Sequence, residues 1–106
     1  MIYNASNGNE LGKLHFHDYQ LKDIVIDYTK KISKVYLLDP SNTIHEMIFR
    51  FCFFSIECLE PWGEGIYINS FTTSLEQTES GEELIDIEIL LNSGDTLVFK
   101  AREIVF

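Results

Sequence analysis

Leu84-Ile85-Asp86-Ile87-Glu88-Ile89-Leu90-Leu91 is the clearest pattern in the chain, with Ile85, Ile87, Ile89 and Leu91 on one parity. A period of two predicts a strand with one buried face, because successive side chains of extended backbone point to opposite sides. Asn92-Ser93-Gly94-Asp95 follows, and its residue types suit a tight hairpin turn. Thr96 to Ala101 then places Leu97, Phe99 and Ala101 on one parity and Val98, Lys100 and the following Arg102 on the other. Ile104-Val105-Phe106 carries the apolar pattern onward, predicting that this end is also tied into the sheet.

Working outward, the same β-signature recurs. Residues 66–73, Ile-Tyr-Ile-Asn-Ser-Phe-Thr-Thr, form a β-rich run set between the loop Glu60-Pro61-Trp62-Gly63-Glu64-Gly65 and the polar break at 77–83. The apolar block 44–60 reads as strand rather than helix. Met47, Phe49, Phe51 and Phe53 share a parity, and a bend near Ser55 would divide the block in two. Residues 32–39 read as another strand, closed by Asp39-Pro40-Ser41-Asn42. From Tyr19, Leu21, Ile24, Ile26 and Tyr28 take one face, and Tyr28-Thr29-Lys30-Lys31 joins this run to the next by a bend or a hairpin lacking the usual turn residues. Residues 1–13 read as an irregular or loosely paired lead-in, with a short helix left open as an alternative. The expectation is an all-β single domain over 1–106, an antiparallel β-sandwich or curled barrel-like sheet of six or seven strands.

The chain has 106 residues, 45% hydrophobic, enough to bury roughly 65% of its unfolded surface in one core without a metal or disulfide. Cys52 and Cys58 lie about 20 Å apart along a strand, beyond disulfide reach, which predicts reduced thiols and a cytoplasmic location. No stretch reads as a signal peptide or a membrane span. The net charge of −9 is unevenly placed. Residues 1–53 hold six acids and six bases, whereas residues 54–106 hold eleven acids against Lys100 and Arg102. Such a surface repels nucleic acid and anionic lipid and steers a cationic partner. Glu57, Glu60, Glu64, Glu76, Glu79, Glu82 and Glu83, with Trp62 among them, are therefore the candidate partner-binding residues.

His15, His17 and Asp18 invite a metal-site reading, since imidazoles two apart on a strand project to one side. A full ligand set with a recognised spacing is missing, so no metal or cofactor is expected. The preferred reading is structural: a buried His17–Asp18 pair bonding backbone groups at the head of the sheet. No nucleophile elbow, phosphate-cradling Gly-rich loop or Cys with an activating His is present, and the chain is read as non-enzymatic. A metal- or ligand-binding barrel using His15, His17 and Asp18 is the alternative, and a homo-oligomer pairing through edge strands is a third.

Phe16-His17-Asp18, followed by Leu21 and the alternating Ile24-Val25-Ile26-Asp27, resembles the Phe-His-Asp opening of bacterial polymorphic-toxin immunity proteins, the immunity-protein-fifty type in particular. The Phe-rich middle strand, the Trp loop leading to Ile66-Tyr67-Ile68, and the closing hairpin Ile89 to Leu97 ending in Ala101-Arg102-Glu103-Ile104 are similar over most of residues 14–106. The resemblance implies a cytoplasmic, non-enzymatic all-β protein that binds and neutralises a cognate protein toxin.

Overall fold

The computed structural model describes residues 1–51 and 53–106. Among these, nine strands form two antiparallel sheets, neither closed into a barrel. They are β1 (Ile2–Tyr3), β2 (Gln20–Asp27), β3 (Ile32–Leu38), β4 (Ile44–Arg50), β5 (Phe53–Ile56), β6 (Ile68–Gln77), β7 (Glu83–Leu91), β8 (Thr96–Ala101) and β9 (Glu103–Val105). One sheet runs β1-β9-β4-β3-β2 and the other β5-β8-β7-β6. The expectation of six or seven strands falls short because two apolar runs each divide between the sheets and a short strand lies at the N-terminus.

The alternating stretch behaves as its periodicity requires. Ile85, Ile87, Ile89 and Leu91 of β7 and Leu97, Phe99 and Ala101 of β8 are all buried. They meet Val35 and Leu37 of β3, Met47 and Phe49 of β4 and Ile104 of β9 in one core. Phe49 stacks on Phe99 across the two sheets, with centroids 4.3 Å apart and planes within 8°. Gly94, at φ 90°, takes a left-handed conformation that glycine adopts without steric cost.

The Phe-rich block breaks at Phe51, earlier than Ser55. Phe51 has φ 53°, and the buried parity of Met47 and Phe49 gives way to exposed Phe51 and Phe53. The chain turns a corner there, leaving one sheet for the other, and β8 passes into β9 beside it. Arg102 N–H donates to Arg50 C=O at 3.2 Å, and the Arg102 guanidinium lies 5.4 Å from the Phe51 ring centroid. The sheets are joined again where Gln20 bridges Tyr67, with Leu21 N–H donating to Ile66 C=O and Ile68 N–H to Tyr19 C=O, both at 2.8 Å. The Cys52 half of the thiol reading lies outside the described residues, whereas Cys58 is free and exposed.

Three local readings become specific. Residues 1–13 take the paired and helical options together: β1 pairs with β9, and a 3₁₀ helix at Gly8–Lys13 buries Leu11 completely. In β2 a bulge between Leu21 and Asp23 resets the parity, so Leu21 and Ile24, three apart, both pack on the core. The β2–β3 connection is a hairpin whose turn chemistry comes from Asp27. Its Oδ1 accepts from Thr29 N–H and Lys30 N–H at 3.1 Å each, and Lys31 takes φ 56°.

Candidate functional site

The Phe16-His17-Asp18 turn comes first because it carries the resemblance. Tyr19 N–H donates to Phe16 C=O at 3.0 Å, closing a β-turn in which Asp18 sits at φ 71°, a conformation Asp tolerates better than most residues. The side chains of His17 and Asp18 are 64% and 69% exposed, with His17 Nδ1 3.2 Å from Asp18 Oδ2. The expected buried pair is therefore corrected to an exposed one. Phe16 is the buried member, packed on Tyr19, Phe71 and Phe106 at centroid distances of 4.4 to 5.3 Å. Hydrophobicity decides the outcome, since the turn sends its aromatic inward and leaves both polar side chains in water. His15 is exposed too, and among the described residues no group of three His, Cys, Asp or Glu is placed to hold a metal. The alternative using His15, His17 and Asp18 therefore has no ligand cluster behind it.

The histidine with a close, partly buried partner is a different one, His45. His45 Nε2 lies 2.7 Å from Asp39 Oδ2, half-buried and near the Tyr19 and Phe106 rings. Asp39 Oδ1 also accepts from Ser41 N–H, Ser41 O–H and Thr43 N–H. Hydrogen bonds from Ser41 and His45, in that order of weight, hold the Asp39 carboxyl well below its ordinary range, because each favours the anion. The pair spans the β3–β4 turn, so only the hairpin register reveals it.

The Trp62 loop, joining β5 to β6, is pinned by the turn between β7 and β8. Asp95, 3% exposed, accepts from Trp62 Nε1–H at 2.7 Å, from Ser93 O–H at 3.0 Å and from Leu59 N–H at 3.3 Å. The Trp62 bond is the chief cause holding its carboxyl below the usual value. Asn92 secures the far side of the loop: its side-chain amide donates to Gly65 C=O at 3.0 Å, and its Oδ1 accepts from Tyr67 N–H at 3.1 Å. Trp62 is half-buried and packs against the core, so it is both anchor and partly accessible surface. In sequence Asp95 reads as an ordinary turn residue because Trp62 and Leu59, the partners that give it a further role, lie more than thirty positions away.

The acidic candidates divide into two groups. Glu57, Glu60 and Glu64 are exposed on the loop with Trp62, at one end of the sheet. Glu79, Glu82 and Glu83 gather around the β6–β7 turn at the opposite end, about 30 Å away along the ten residues of β6. Antiparallel hairpins place successive connections at alternate ends, so one contiguous patch of all seven does not form. Glu76 and Glu82 are moreover engaged: Lys100 Nζ lies 2.8 Å from Glu76 Oε2, and Arg102 Nε pairs with Glu82 Oε1. The two bases of the acidic half are thus directed away from the Trp62 end. Between the groups, Asp86 lies in register with Lys100, and its carboxyl is pushed up by burial, with Glu88 and Glu76 adding to the rise and Lys100 opposing it. Compared with known protein families and characterised proteins, the chain matches none. Among the described residues no helix is long and apolar enough to cross a membrane.

Proposed function

We propose that this chain is a non-enzymatic protein-binding domain, an immunity protein of the Phe-His-Asp all-β type, that neutralises a basic protein toxin in the cytoplasm by occlusion. In this reading the two sheets form a β-sandwich and its Trp62 end is the working surface. The observation that carries it is the pinned loop, on which Asp95 and Asn92 hold Trp62 beside exposed Glu57, Glu60 and Glu64. A loop already ordered loses little entropy on binding, and its carboxylates complement a cationic partner. The non-catalytic reading draws support from His45. Its Nε2 bonds Asp39, and Ser41 O–H donates to that same carboxylate rather than to the imidazole.

Co-expression with the protein encoded beside this chain tests the proposal. Wild type is expected to form a complex and restore growth, and a Glu57→Lys, Glu60→Lys, Glu64→Lys variant to associate at least about tenfold more slowly. Absence of a complex, or full protection by the triple variant, overturns it.

Self-association is a second reading, favoured by β5. This edge strand pairs on one side only, and Phe51, Phe53 and Tyr28 are 51%, 65% and 79% exposed nearby. A solution mass above 12.3 kDa that Phe53→Lys reduces to the monomer value supports this reading, and a monomeric wild type removes it.

A further inference from the structure

Trp62 stands as a wall between two clefts, one of about 560 Å³ and one of about 470 Å³. The larger lies between the Trp62 loop and the β2 edge. Leu21, Ile24 and Ile66 give it apolar sides, and Asp23 and Glu64 set two carboxylates along it against the single base Lys22. In the smaller, Glu60 and Asp95 are the acids. Because Asp95 holds the indole N–H at 2.7 Å, the ring orientation is fixed before any ligand arrives.

We infer that the larger cleft receives one arginine side chain of a basic protein partner, stacked on Trp62 and paired with Glu64 and Asp23. The inference rests on the acidic-surface reading above and names its anchor point. Three features select this occupant. An indole face attracts a cation, and a planar guanidinium stacks on it better than an ammonium does. Apolar sides accept the aliphatic stem of a long basic side chain. Two carboxylates against one base leave an excess of negative charge that a monovalent cationic group satisfies. A neutral apolar side chain would leave those carboxylates uncompensated, and an acidic one would be repelled.

Trp62 is the only tryptophan in the chain, so its fluorescence reports on this cleft directly. The probe is a capped Gly-Arg-Gly peptide, compared with the same peptide carrying citrulline, which keeps the shape and removes the charge. A saturable change in Trp62 emission is expected with the arginine peptide. It should weaken at least about tenfold with citrulline, and similarly in Glu64→Gln or Asp23→Asn protein whose melting temperature matches wild type. Equal responses to the two peptides, or unchanged affinity in both variants, overturn the inference. A basic partner that binds wild type and the Glu64→Gln, Asp23→Asn double variant equally well also overturns it, while leaving the acidic-surface reading in place. Peptide binding that follows the expected pattern in a protein with no basic partner upholds the cleft and removes that reading alone.

Discussion

Within the Phe-His-Asp triplet the stabilising residue is Phe16. Its ring is 2% exposed and touches three other aromatic rings, so Phe16→Ala should cost about 3–5 kcal/mol through lost burial and an unfilled cavity. His17→Ala, on the exposed face of the same turn, should stay within about 0.5 kcal/mol of wild type, and urea denaturation of the two variants compares them directly. Asp95 acts at the same scale. Its folded carboxyl lies below the ordinary value, so its contribution is fully present above about pH 4 and is lost as the pH falls through the folded value. Asp95→Asn should therefore lower the melting temperature at pH 7 and reduce the acid sensitivity below about pH 4, read by thermal melts across that range. Asp86 has the opposite sign. Its raised folded pKa makes the ionised form unfavourable in the fold, so Asp86→Asn should raise the melting temperature at pH 7.

At the scale of elements, the 3₁₀ helix is held by close approach rather than by its own length. A Cβ on Gly12 would stand 2.5 Å from Thr73 Oγ1, and one on Gly8 would stand 2.9 Å from an Ile85 side-chain carbon. Gly12→Ala should lift the helix from β6 and expose Leu11, at a cost of about 1–3 kcal/mol measured by chemical denaturation. The periodicity of β7 and β8 survives intact in the structure because both strands bury one face along their whole length. The parity of the β4–β5 block does not, since a change of sheet resets it, and in β2 a bulge lets Leu21 and Ile24 share the core face expected of them although they lie three apart. Neither leaves a local mark: Lys22 is an unremarkable polar residue, and Phe51 is a residue type rarely found at positive φ.

For the whole molecule, topology controls which acids act together. Strand order places Lys100 and Arg102 against Glu76 and Glu82, leaving Glu57, Glu60 and Glu64 grouped around Trp62 at the other end. A basic partner engaging that end should associate more slowly as salt rises from about 50 to 300 mM, since screening shortens the reach of the field, whereas dissociation should change less. Stopped-flow kinetics across that range separate the two effects.

The sequence by itself determined the all-β class, the buried parities of β7 and β8, the turn at Asn92–Asp95 and the excess of acid in the C-terminal half. These follow from residue type and a period of two, both local properties. Only the tertiary structure decided that Asp95 grips Trp62, that Asp39 holds His45, that Phe16 rather than its polar neighbours is buried, and that the acidic residues part into two groups. Each of these depends on which distant backbone segments become neighbours, and side-chain chemistry read in chain order does not carry that distance.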